Sequence, residues 1–257
     1  MSGGIFLAEG MTFGISDMAF GFDSAGEPSM RIKLTLSYDA CIAWAKIALT
    51  HREGALRSLE ERRAAWSNES RDDESNEQRG RSLVAEFQSS IQAVVAAATC
   101  IDALYDHITR MNLIQPETRR AWIRKRRPRY VQVSETLRVA FNIKPSIFNA
   151  FKENLKAIYV LIDYSVHPSS KPEPPYPHPE IDILTSWSLA AFRGDVADMF
   201  VCSALGLLWE TSQRSKHKSA ELSDFMSGFK ARVQEILPTG PLLPQSPQVR
   251  FTLPPRG

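Results

Sequence analysis

Apolar side chains return every third or fourth residue through most of this chain, the period that places them on one face of a helix. The richest stripe runs through Phe148, Phe151, Leu155, Ile158, Ile162 and Val166 and is widened by Tyr159 and Leu161. It predicts a central helix that begins near Pro145. Pro168 disfavours helical geometry at the residue before it, so this helix ends on His167. The same period predicts helices over about residues 37–66, 81–111, 134–141, 181–213 and 220–236. The start of the chain has a period of two instead. Met11, Phe13 and Ile15 alternate, as do Met18, Phe20 and Phe22, and then Met30, Ile32, Leu34 and Leu36, with the turn sequence Asp23–Pro28 in between.

The expected fold class is therefore mainly α: a helical bundle with a small N-terminal antiparallel β element. Residues 1–36 form the β appendage, which should lie against the helices or pair with another subunit. Residues 37–237 form the bundle, interrupted at 67–80 by SNESRDDESNEQRG, which reads as a mobile acidic loop. Residues 238–257 form a proline-rich, extended tail that either drapes over the bundle or recruits a protein partner.

Composition narrows the function classes. The chain has 257 residues, 43% hydrophobic and 23% charged, with a formal net charge of +2. Such a balance gives no long-range pull toward nucleic acid, so any attraction must come from a local patch. Cys41, Cys100 and Cys202 have neither zinc spacing nor a disulfide pattern and read as buried thiols of a cytoplasmic protein. The start of the chain lacks the pattern of a signal peptide, and the run Met199–Trp209 is too short to span a bilayer, so no membrane association is expected. No phosphate-cradling glycine loop, HExxH or nucleophile elbow is present, and no cofactor is expected. His167 and His178 lack a third ligand, which argues against a metal site.

Two stretches carry candidate chemistry. Tyr159, Asp163 and His167 follow one another at intervals of four and share one helix face, an arrangement able to orient an imidazole for proton transfer. The alternative is structural: His167 caps the last carbonyls and Asp163 holds it in place. Upstream, PETRRAWIRKRRPRYVQV gathers Arg119, Arg120, Arg124, Lys125, Arg126, Arg127 and Arg129 around Trp122 and Tyr130, with Glu117 as the one opposing charge. Cations with interleaved aromatics suit RNA or another polyanion. A solvated face, with Trp122 and Ile123 anchoring a short helix to the core, or a partner in the acidic 72–77 stretch of the same chain, fits the composition equally.

The alanine-rich AAATCIDALYDHI, the basic segment after it, the TLRVAFNI turn and the helix end DYSVHP together resemble the HEPN superfamily of helical bundles over roughly residues 81–214. Active members are metal-independent ribonucleases carrying an arginine, four to six intervening residues and a histidine. His167 matches that histidine, Asp163 matches the polar residue after the arginine, and Asp102 corresponds to an acidic residue near the site. The arginine is missing, because its three allowed positions hold Val160, Leu161 and Ile162. An apolar side chain cannot hold a scissile phosphate. The resemblance thus implies a non-catalytic homodimer that binds RNA, a nucleotide or a protein partner. The alternatives are an atypical ribonuclease in which His167 works with a surrogate cation from the Arg119–Arg129 segment or from the partner subunit, and a structural assembly protein.

Overall fold

A computed structural model describes residues 11–70, 72–166 and 175–245. The described residues form a mainly α-helical fold with a small antiparallel β element at the N-terminal side. In order they are β1 (Met11–Phe22), β2 (Pro28–Tyr38), α1 (Ala40–Ser67), α2 (Asp73–Arg110), α3 (Pro116–Arg124), α4 (Arg129–Ala140), α5 (Pro145–Val166), a two-residue ladder of β3 (Tyr176–Pro177) and β4 (Leu184–Thr185), α6 (Trp187–Ala191), α7 (Gly194–Ser212) and α8 (Ala220–Ile236). His167 lies outside the described residues, as do residues 246–257 of the tail.

The central helix is α2, not α5. Ala93, Ala96, Ala97 and Ala98 are all but fully buried, and their small side chains let α1 and α7 approach closely. Helices α4 and α5 pack on another side of α2, and α8 closes the layer over α7 and α1. The apolar content of α2 is enough by length and composition to cross a membrane, yet these residues face neighbouring helices. Apolar strength along the sequence marks α5 as central. Small residues decide instead, because they set how many neighbours a helix can hold.

The N-terminal hairpin keeps one continuous apolar face across a change of phase. Ile15 pairs with Leu34, Met18 with Ile32, Phe20 with Met30 and Phe22 with Pro28. Strand β1 has one residue too many for this ladder, and a bulge between Ile15 and Asp17 absorbs it. That bulge explains the three-residue step from Ile15 to Met18, which reads from sequence as two separate alternating runs. The turn is closed by Asp23, whose Oδ1 accepts from the Ala25 N–H at 2.8 Å and the Glu27 N–H at 3.0 Å, with Gly26 at φ +81°.

Where the polar run 67–80 predicts a mobile loop, α2 already begins at Asp73. Asp72 caps it by accepting from the Ser75 N–H at 2.7 Å, and Asp73 and Glu74 suit the positive end of the helix dipole. Arg79 then locks the turn: it donates to the carbonyls of Asn68 and Ser70, and its guanidinium lies 5.9 Å from the centre of the Trp66 ring. The single helix expected over 181–213 is broken at Phe192–Arg193 into α6 and α7. The tail does drape over the bundle as far as it is described: Leu242 packs on the core, and the Gln245 N–H donates to Asp198 at 2.6 Å.

The break before α7 lets Gly194 meet α1. A Cβ on Gly194 would overlap the Ala55 carbonyl and lie 2.7 Å from the Leu59 Cβ, both on a helix with no room to move. Gly194→Ala should therefore cost about 3 kcal/mol, read as a drop in melting temperature of about 6–12 °C. Gly206, in the same helix, has nothing within 4 Å of such a Cβ. Gly206→Ala should leave stability unchanged or raise it by up to about 1 kcal/mol.

Candidate functional site

Helices α2, α4 and α5 converge on Asp102. The Tyr159 hydroxyl donates to Asp102 Oδ1 at 2.6 Å, and the Arg129 Nε–H donates to the same oxygen at 3.0 Å. The Arg129 guanidinium also lies over the Tyr105 ring, 4.3 Å from its centre. Each member is placed by its helix. Tyr105 stands one turn after Asp102 on α2, Arg129 opens α4 directly after Pro128, and Tyr159 comes from the face of α5 turned to the core. Tyr159 is 6% exposed, whereas the side chains of Asp102 and Arg129 keep 37% and 45% of their surface. Burial, and then the Asp102 charge, push the Tyr159 phenol well above its ordinary pKa. It is a fixed hydrogen-bond donor, not a base.

The structure thus brings Asp102 and Tyr159 together and adds Arg129, the last cation of the basic segment. Asp163, one turn beyond Tyr159, is exposed and makes no ion pair among the described residues. The Tyr159 hydroxyl turns to Asp102, so no relay from Tyr159 to Asp163 forms. His167, the intended end of that relay, falls outside the described residues. His107 stacks on Phe225 with ring centres 3.9 Å apart.

The basic segment folds into α3, a tight turn and the start of α4. Its members separate into two groups. Arg119 donates to the Thr109 carbonyl at 3.3 Å, and Trp122 is buried beneath α3, with Tyr130 half-buried against the core. Of the two readings of Trp122, the structure supports the anchor: the ring is buried and offers no face on which a base could stack. Arg120, Arg124, Lys125, Arg126 and Arg127 are exposed and have no acidic partner among the described residues. The acidic 72–77 stretch does not neutralise them, since Asp72 caps α2 and Glu77 pairs with Arg81.

The turn after α3 has a recognisable helix-ending geometry. The Arg127 N–H reaches the Trp122 carbonyl at 2.9 Å and the Arg126 N–H reaches Ile123 at 3.0 Å, with Arg126 at φ +48°. Glycine usually fills such a left-handed position, because a Cβ there costs about 1 kcal/mol. Here the position carries a cation.

A second ionic cluster, which leaves no mark in the sequence pattern, lies on the far side of α2. Arg62 on α1 is wholly buried and donates to Glu86 on α2 and to Glu180. The other Glu86 oxygen accepts from the Gly194 N–H at 2.9 Å, and Arg63 holds Glu180 at 2.9 Å. Burial pushes the Glu86 carboxyl above the usual range, against the pull of Arg62 and the Gly194 N–H. Partial burial also works against ionising Glu180, but hydrogen bonds from Arg63 and Arg62 outweigh it and bring its pKa down to about 2. His178, 6% exposed, accepts on Nδ1 from the Glu180 N–H at 3.2 Å and is neutral. Burial, then the charges of Arg62 and Arg193, lower its pKa to about 4. No group of three His, Cys, Asp or Glu side chains able to hold a metal occurs among the described residues.

Comparison with known proteins adds no relative: no family model, curated protein or solved structure matches this chain.

The neutral His178 makes stability depend on pH in a defined window. Between about pH 6.5 and 4 the unfolded chain binds a proton on this histidine that the folded chain refuses. The stability it contributes is complete above about pH 6.5 and is lost as pH falls toward 4, a loss on the order of 3 kcal/mol. Glu86 acts in the opposite sense, and Glu180 responds only at lower pH. Thermal melts should show His178→Gln flattening the pH 6.5–4 part of the profile. An unchanged slope in that variant would refute the assignment.

Proposed function

We propose that this chain is a HEPN-like helical module that binds single-stranded RNA through the α3–α4 turn and does not cleave it. The observation that carries the reading is the row of five exposed cations, Arg120, Arg124, Lys125, Arg126 and Arg127, without an acidic partner among the described residues. Phosphates supply the missing counter-charge, and their contacts fix the register of a bound strand. Placing Arg126 in a backbone conformation suited to glycine supports the same reading, because the strain is kept where a cation is presented.

Absence of cleavage is supported from α5. Val160 and Leu161 are buried and Ile162 packs on the core, so the places where the resemblance would put an arginine point into the bundle. Asp102 and Tyr159 are engaged with each other and with Arg129, which makes them a scaffold for the basic turn.

Binding of an unstructured RNA oligonucleotide, followed across a salt series, tests this directly. Replacing Arg124, Arg126 and Arg127 with Ala should weaken binding at least about tenfold and reduce the salt slope by about 2, at roughly 0.7 for each phosphate no longer neutralised. No binding by the unaltered protein at about 50 mM salt, or equal binding of polyglutamate, would end the RNA reading. RNA cut by the unaltered protein and spared by His167→Ala would replace it with a ribonuclease in which Arg129 supplies the cation.

Arg126→Gly separates function from stability at one position. Relief of the left-handed backbone should stabilise the fold by about 1 kcal/mol, while loss of the cation weakens RNA binding. A variant with lowered melting temperature, or with undiminished RNA affinity, would contradict this.

A further inference from the structure

The N-terminal hairpin offers an apolar surface that nothing in its own described chain covers. Every described side chain from Asp17 to Leu34 is exposed, and among the described residues no helix packs along the ribbon. Phe20 and Phe22 keep 73% and 78% of their surface in contact with solvent, and Met30 keeps 57%. These are not scattered residues. The Ile15/Asp17 bulge has the effect of holding Ile15, Met18, Phe20 and Phe22 on the same side as their partners Leu34, Ile32, Met30 and Pro28. The opposite side pairs Asp17 with Lys33, Ala19 with Arg31 and Gly21 with Ser29. A two-stranded ribbon is marginal in water by itself, and one with a wholly apolar face needs a second layer.

We infer that this face is the contact through which two copies of the chain dimerise, hairpin stacked on hairpin across a two-fold axis. Area is the first argument. Eight large apolar residues of the ribbon are exposed, by 39% to 78% of their surface. At roughly 200 Å² for a large side chain they present about 800 Å², and two such faces bury about 1,600 Å², the size of a stable specific interface.

Shape is the second argument. The ribbon is about 36 Å long and 10 Å wide, and its apolar face stays continuous across the Ile15/Asp17 bulge, so a two-fold axis can set like against like, as an isologous contact requires. Face stacking at about 10 Å is favoured over edge pairing, because edge pairing leaves the apolar side in water. Charge argues for a second copy over a lipid surface. The turn at the exposed end carries Asp23 and Glu27 and no cation, which opposes approach to anionic headgroups. The apolar face itself bears no charge that would select a charged partner.

Dimerisation through the hairpin does not depend on RNA binding, and sedimentation equilibrium of the full chain tests it. The unaltered protein should sediment at twice its 28.9 kDa chain mass at about 10 µM. Phe20→Lys with Ile32→Lys should raise the dimer dissociation constant at least a hundredfold, with the helical circular dichroism unchanged. Phe22→Ser with Met30→Ser carries the same expectation at less cost to the ribbon. Ala19→Lys with Ser29→Lys, on the opposite face, should leave the dimer intact. A monomer up to about 100 µM, whether or not it floats with phosphatidylserine vesicles, would overturn the inference. So would a dimer that persists in both face variants.

Discussion

A buried arginine holds this molecule together. Arg62 reaches from α1 to Glu86 on α2, and Glu86 turns its second oxygen to the first free N–H of α7. One carboxylate therefore ties the two longest helices to the start of a third. Each contact satisfies a group that would be costly to leave unpaired: a guanidinium with no access to water, and a helix N-terminus pressed against α1. Such a cluster adds little to stability compared with an apolar replacement, but removing one partner leaves the other stranded, at a cost of about 3–5 kcal/mol. It acts mainly as a specification of register. Glu86 can meet Arg62 and Gly194 together only if α1, α2 and α7 are aligned along their lengths as observed, and only if α7 begins at Gly194.

That constraint explains what could and could not be read along the chain. Helices with a strong apolar period, α5 and α8, are legible almost to the residue, because burial of one face alone decides them. The start of α2 and the break before α7 are not. Asp73–Gly80 contains no apolar stripe, and its helicity comes from the Asp72 cap and from Arg79 gripping the preceding turn. Trp187–Ser212 has an unbroken stripe, and its interruption comes from an approach of Gly194 to Ala55 that only the folded bundle reveals. Of the candidate site, Asp102 and Tyr159 could be singled out along the chain but not as partners of each other, and the abundance of cations was legible from composition. Arg62 and Glu86 were not, because in sequence they sit in charged stretches that look like solvated helix faces.

The same cluster fixes the chain beyond α5. Helix α5 is described as far as Val166, and beyond it the backbone is held at Tyr176–Pro177 and at Glu180, which both Arg62 and Arg63 grip. His178 stands between these points with Nδ1 occupied and Nε2 buried without a partner among the described residues. Its protonation would set a new positive charge beside Arg62 and Arg193. The anchor for the segment following the DYSVHP end is therefore an acid-sensitive element.

Charge and apolar surface are kept apart in this fold, and the separation gives the two proposals a joint consequence. The row of exposed cations proposed to hold RNA belongs to α3 and its C-terminal turn, and the exposed apolar residues belong mainly to the hairpin that precedes α1. A contact made by the hairpins consumes no cation, so a dimer carries two complete α3–α4 surfaces. An RNA long enough to reach both would bind the second at an effective concentration set by the distance between them, with a gain that needs no new contact. Oligonucleotides too short to span that distance would gain nothing. Steep dependence of affinity on RNA length, abolished together with the dimer in the hairpin variants, is the signature expected of one surface assembling what the other binds.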